Sequence, residues 1–249
     1  MSNLGVVNTL QRVCETLTQQ ALRIAPGRLY SEYTNRRFDR IYGVKTGGLV
    51  EAQDLDVPVH IRRHVTRYQA SKIKVLRHIL RQIPTTYNEF TFIDFGCGKG
   101  RALLIATAHG FKRIIGIEIS PNLHKIGQEN IQKYRTKTGM GSNIELHCMN
   151  VTEFALPAEP ALFYFYNPFD QEITATVLKN IEQSLTEKPR EIFLVYVFPR
   201  CIDLLEAAQF LQLERQGKMC GDHYRIYKSH RSSQQPSSHS AASAEAAAS

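Results

Sequence analysis

Phe90-Thr91-Phe92-Ile93-Asp94-Phe95-Gly96-Cys97-Gly98-Lys99-Gly100-Arg101 decides how the rest of this chain is read. An apolar run ends in an acid, and three glycines follow at alternate positions. Residues 101–109 then read as a helix. A strand, a tight glycine turn and a helix start together let backbone amides approach a nucleotide-like ligand. The spacing narrows the ligand class. A dinucleotide fingerprint needs its third glycine three residues after the second, and Arg101 stands there. A Walker loop needs Gly-Lys followed by Ser or Thr, but Gly100 follows Lys99. Three glycines in five residues weaken any fold unless something needs the close approach.

Asp94-x-Gly96-x-Gly98-x-Gly100 resembles the first motif of class I S-adenosylmethionine-dependent methyltransferases. The resemblance implies an α/β fold, a doubly wound, Rossmann-like and mostly parallel sheet of seven strands. It implies S-adenosylmethionine as cofactor, with Asp94, Gly96, Gly98 and Gly100 around its methionine part. Downstream, Arg113-Ile114-Ile115-Gly116-Ile117-Glu118 reads as a second strand ending in an acid. An acid about twenty residues past the turn takes ribose hydroxyls in nucleotide-binding sheets. The resemblance gives Glu118 that role and puts Ile119 beside the adenine. A third strand, 143–148, leads to Met149-Asn150-Val151. The family usually has Asp near here; the side-chain oxygen of Asn150 can accept a bond from the adenine amino group, with Val151 next to it.

The fourth strand, Ala161-Leu162-Phe163-Tyr164-Phe165-Tyr166, is apolar throughout, as expected of a strand buried on both faces. It ends in Asn167-Pro168-Phe169-Asp170. This resembles the Asn/Asp-Pro-Pro-Tyr/Phe motif of methyltransferases that modify amine or amide nitrogen, shortened by one proline. The resemblance makes Asn167 and Phe169 the residues that place the acceptor, Asn167 also bordering the cofactor. Such a nitrogen must be held in line with the bond that breaks. Read without the resemblance, Asn-Pro is a turn signal after a strand.

The segment Arg37-Phe38-Asp39-Arg40-Ile41-Tyr42-Gly43-Val44-Lys45-Thr46 and the helix start Thr66-Arg67-Tyr68-Gln69-Ala70 are similar to the front of a bacterial group of these enzymes. That group is distantly similar to non-SET protein lysine methyltransferases. The likeness gives Tyr68 a place over the cofactor or along the acceptor channel. Phe38, Tyr42 and the Gly47-Gly48 loop are expected to form a lid.

Composition sets the outer bounds. The chain has 249 residues, 43% of them hydrophobic, enough for one α/β domain with extensions. No run of eighteen apolar residues suggests a membrane span, and no secretory signal is read at the start. Five cysteines, an odd number with no C-x-x-C pair, fit reduced, cytoplasmic usage and no metal site. The net charge of +8 is uneven: residues 1–90 hold fourteen Lys and Arg against seven Asp and Glu, a net +7. A basic patch of this kind attracts nucleic acid or an acidic partner. It also fits a solvated helix face, and nucleic acid is the less favoured partner because no aromatic RNA-binding motif is interleaved.

Three segments are expected. Residues 1–66 form an N-terminal helical and irregular extension, with an amphipathic helix at 5–24 and irregular chain over 26–66. Residues 67–228 form the cofactor-binding domain. The Ser- and Ala-rich tail, 229–249, is expected to be disordered. The reading that follows is an S-adenosylmethionine-dependent methyltransferase acting on a nitrogen acceptor, a protein lysine or another amine. The alternatives are a cofactor-binding module that works on RNA or an acidic partner through the basic front, an O-methyltransferase of a small molecule, and an oxidoreductase on the same kind of sheet.

Overall fold

The computed structural model describes residues 26–230. The expected helix at 5–24 and the tail beyond 230 lie outside the described residues. The elements run α1 (Pro26–Tyr42), β1 (Leu49–Val50), α2 (Val59–Arg62), β2 (Tyr68–Gln69), α3 (Ile73–Leu80), β3 (Thr91–Phe95), α4 (Arg101–Ala106) and β4 (Arg113–Glu118). They continue with α5 (Pro121–Thr138), β5 (Ile144–Cys148), β6 (Ala161–Tyr166), α6 (Gln171–Glu187), β7 (Ile192–Val197), α7 (Ile202–Ala207), β8 (Leu211–Met219) and β9 (Asp222–Ser229).

Seven strands form one sheet in the order β5-β4-β3-β6-β7-β9-β8. The pairings from β5 to β7 are parallel, and β9 runs antiparallel to both of its neighbours. This is the doubly wound sheet the sequence predicts, with the last strand inserted in reverse. Its central strands are apolar on both faces because both are covered. Phe92, Ile114, Leu162, Tyr164, Phe193 and Val195 pack with α1, α3 and α4 on one side. Ile93, Phe95, Ile115, Phe163, Phe165 and Leu194 pack with α6 and α7 on the other. Helix α3 buries the expected Ile73, Val75, Leu76, Ile79 and Leu80.

The front segment departs from expectation. Residues 26–42 are helical where irregular chain is predicted, because Pro26-Gly27 reads as a breaker. Proline is tolerated in the first turn of a helix, where its missing N–H has no partner to lose. Phe38 is buried, and Tyr42 packs its ring against Phe38 and against Tyr134 of α5. These two aromatics anchor α1 in the core; they are not part of a lid.

Candidate active site

β3 and β4 end side by side, with Asp94 in register with Gly116. The chain then turns sharply: Gly96, Gly98 and Gly100 all have left-handed φ, at 79°, 54° and 82°. The amides of Gly96 and Cys97 donate to the Ile117 carbonyl at 2.9 and 3.0 Å. Glu118 pins the turn from the other side. Its carboxylate accepts the Gly98 amide at 2.7 Å and the Ser120 amide at 2.8 Å. A carboxylate offers about four acceptor positions; with the Ile119 amide also directed at it, part of that capacity stays open. Burial raises the Glu118 pKa against these bonds.

Asp94 is 3% exposed, and its carboxylate accepts no hydrogen bond from the described residues. Burial, helped by the charge of Glu118, pushes its pKa well above the usual carboxylate range. Both acids face a cavity of about 640 Å³, a size suited to a small-molecule ligand. Ile119, Asn150 and Val151 line it with Gly96, Tyr68, Pro168 and Phe169. Asn150 caps the short turn that follows, its Oδ1 accepting the Thr152 amide at 3.1 Å, which leaves the oxygen one further acceptor position. Tyr68 lies on the glycine turn: a Cβ on Gly98 would sit 2.1 Å from its ring. The Tyr68 hydroxyl donates to the Thr46 carbonyl at 2.7 Å, and burial raises its pKa. It is therefore a neutral cover at ordinary pH. Gly98 and Gly100 shape the turn from behind that cover and do not line the cavity.

A second cavity, of about 1380 Å³, adjoins the first and shares Tyr166, Phe169 and the stretch His64 to Arg67 with it. Asn167 lines this second cavity and not the first. Its φ is 46°, in the left-handed region, and its Oδ1 accepts from the Tyr196 hydroxyl at 3.4 Å. The conformation is held from outside. The Thr66 hydroxyl donates to the Asn167 carbonyl at 2.6 Å, the Thr66 amide donates to the Pro168 carbonyl, and the Asp170 amide donates to the His64 carbonyl. Residues 64–66 are thus zipped onto 167–170 across the wall between the two cavities.

Residues 92–188 match the sequence model of a family described as "Methyltransferase domain". That span runs from β3, through the glycine turn and Glu118, to the end of α6. Over that stretch the chain is similar to methyltransferase domains. A ribosomal protein L11 methyltransferase from Tolumonas auensis is 35% identical over 57 residues, 23% of this chain. The matched part spans about a fifth of that relative's length, 18%. Among solved structures, tRNA (m1A58) methyltransferase TrmI from Aquifex aeolicus superposes with a TM-score of 0.50. The identity is 14%, over 66% of this chain and 72% of that one. The ribosomal protein L11 methylase from Lactobacillus delbrueckii subsp. bulgaricus gives 0.48 at 13% identity, over 64% and 78%.

S-adenosylmethionine is the cofactor of such a methyltransferase domain, and the residues present fit it. A buried carboxylate with no partner is costly unless a cation or donor meets it. The cofactor's ammonium is such a group for Asp94. The open acceptor positions of Glu118 suit a pair of ribose hydroxyls, and Ile119 and Val151 offer apolar contact for a purine. The left-handed turn brings Gly96 against Pro168 at the cavity wall, where a Cβ would sit 2.7 Å from the Pro168 side chain. Among the described residues no group of His, Cys, Asp and Glu is arranged to hold a metal ion.

Several residues around the two cavities carry no local sequence signal. His64 lines both cavities, and its Nδ1 lies 2.7 Å from the Asp170 carboxylate. The Arg63 Nε donates to its Nε2 at 2.9 Å. In the sequence Arg62-Arg63-His64 shows only as a basic cluster, 106 residues from its partner. Asp39 is the second case. Its carboxylate accepts the amides of Thr46 and Gly47, the Thr46 hydroxyl and the Arg101 guanidinium. Arg101, buried at 4% exposure, also donates to Thr46 Oγ1 and to the Ser71 carbonyl. Lys99 Nζ reaches the Gly47 carbonyl at 2.9 Å. The loop 44–48 is thereby tied over the glycine turn.

Proposed function

We propose that the protein transfers a methyl group from S-adenosylmethionine to a nitrogen acceptor. The observation that carries this reading is the pair of adjoining cavities, one built on Asp94 and Glu118, the other on Asn167. They meet at Tyr166 and Phe169. S-adenosylmethionine supplies a methyl group on a sulfonium, a strong leaving group. The chain's residues supply position and a dry site. Asp94, Gly96, Glu118, Ile119, Asn150 and Val151 hold the cofactor, with Gly98 and Gly100 fixing the turn and Tyr68 closing it. Asn167 receives the acceptor's N–H on its side-chain or backbone carbonyl, and Phe169 packs beside the reacting group.

The acceptor's proton leaves to solvent, since His64 has its Nε2 engaged by Arg63 Nε and its Nδ1 by Asp170. An amine is the acceptor type this arrangement supports. The ribosomal protein relative's name adds protein side chains, such as lysine, to the amines worth testing.

Asn167→Ala is the decisive variant. Label transfer from methyl-labelled cofactor to cell extract should fall by about 10²-fold or more, as when a positioning contact of this kind is removed. The affinity for S-adenosylhomocysteine, measured by calorimetry, should stay within about twofold. Normal transfer by the variant would remove Asn167 from acceptor placement, and loss of cofactor binding would put it back in the first cavity.

A further inference from the structure

The second cavity carries a charge. Arg63, Arg67, Arg200, Lys218 and Arg225 line it, against Glu51 and Asp170. Asp170 is committed to His64 and to capping α6 through the Ile173 amide. Arg225 is committed to Glu206. Arg67, Arg200 and Lys218 have no ion pair or side-chain hydrogen bond among the described residues. They come from three separate places: the crossing before β2, the loop after β7, and the edge strand β8. Like charges gathered in a concave wall focus a positive potential and favour an anion there.

A second, independent feature sits beside them. Phe198 follows β7 with φ 52° and is 36% exposed. The left-handed region is an outlier for a bulky residue, and such strain persists only where the surroundings enforce it. Its amide donates to the His223 carbonyl at 2.9 Å, and its ring stands edge-on to Tyr166, with centroids 5.7 Å apart. Cys220, the other non-glycine residue with positive φ besides Asn167, has an ordinary cause: it opens the two-residue turn between β8 and β9. Phe198 opens no such turn, and its ring lines the basic cavity with Lys72 Nζ 5.9 Å from the ring centroid.

We propose that the second cavity binds a phosphorylated acceptor, with Arg67, Arg200 and Lys218 on the phosphate and Phe198 under a flat ring. This rests on the reading of that cavity as the acceptor site. It narrows the acceptor to an amine on an anionic molecule, because three unpaired cations repel a lysine ammonium. Guanidinium forks match phosphate oxygens in pairs, and aromatic faces bind planar bases.

Calorimetry on the full chain saturated with S-adenosylhomocysteine tests this, using inorganic phosphate, adenosine monophosphate and a ten-nucleotide single-stranded RNA as probes. At least one should bind. The double variant Arg200→Glu, Lys218→Glu should weaken it tenfold or more while S-adenosylhomocysteine affinity stays within twofold. Phe198→Ala should weaken the nucleotide and spare inorganic phosphate. RNA binding tenfold or more above the mononucleotide marks a nucleic acid as the source; equal affinities mark a small phosphorylated molecule. The proposal is overturned if no probe binds, if charge reversal leaves binding unchanged, or if a lysine-bearing basic peptide binds better than all three. Failure of S-adenosylhomocysteine itself to bind would sink the methyltransferase reading instead, and the same phosphate titration on the unliganded chain would still read the anion site.

Discussion

Asp94 and Glu118 stand close in the floor of one cavity, yet their partners differ. Glu118 accepts from backbone amides and keeps acceptor capacity in hand, whereas Asp94 accepts from none among the described residues. A carboxylate in that position is a cost to the empty protein and an asset to a cationic ligand. Asp94→Asn separates the two effects. It removes the charge and keeps the shape, so the unliganded protein should melt higher at neutral pH. The affinity for S-adenosylmethionine should fall, because a charge-assisted bond contributes about 1.5–3 kcal/mol, roughly ten- to a hundredfold in Kd. Calorimetry and a thermal melt on the same preparation read both. An unchanged Kd would take the cofactor's ammonium away from Asp94.

At the scale of elements, the loop 44–48 is held by a residue far from it in sequence. Asp39, near the end of α1, gathers Thr46, Gly47 and Arg101 on one carboxylate. Asp39→Ala leaves the buried Arg101 charge without its acid, a loss of about 3 kcal/mol or more by analogy with other broken buried pairs. The variant should melt lower. Its cofactor should also dissociate faster, since the loop carries the carbonyl that holds the Tyr68 hydroxyl. Stopped-flow release of S-adenosylhomocysteine measures this, and a release rate equal to the parent's would mean the loop is no cover.

This clasp also marks where sequence reading stops. The strand, turn and helix at 90–106 are legible because every signal is local: apolar run, acid, glycines at alternate places. The end of β4 is legible for the same reason. Asp39–Arg101 spans 62 residues and His64–Asp170 spans 106. Only the folded sheet brings those partners together, and no periodicity announces them. Helix α1 was obscured by a local signal that points both ways, since Pro-Gly marks a turn and also suits a helix start.

Across the whole molecule, titration of the buried acids should make stability depend on whether the cofactor site is filled. Burial raises the pKa values of Asp94 and Glu118 in the folded chain, against about 4 for such groups when unfolded. The folded protein therefore holds these protons more tightly than the unfolded chain. The resulting stability is fully present below the unfolded pKa and is lost as pH rises through the raised folded values. His109 works in the opposite sense. Burial first, then Arg77 and Arg81, lower its pKa in the folded chain. Its contribution is present above the unfolded value of about 6.5 and is lost as pH falls through the folded one. A cationic ligand group at Asp94 cancels the first effect and leaves the second. Melting temperature followed from pH 4.5 to 8.5 should thus decline toward alkaline pH more steeply for the empty protein than for protein saturated with S-adenosylmethionine. Asp94→Asn should flatten the empty curve by itself, and His109→Gln should flatten the acid side with or without ligand. Parallel curves for empty and loaded protein would mean that the cofactor leaves Asp94 unpaired, and the site would then have to be rebuilt around Glu118 alone.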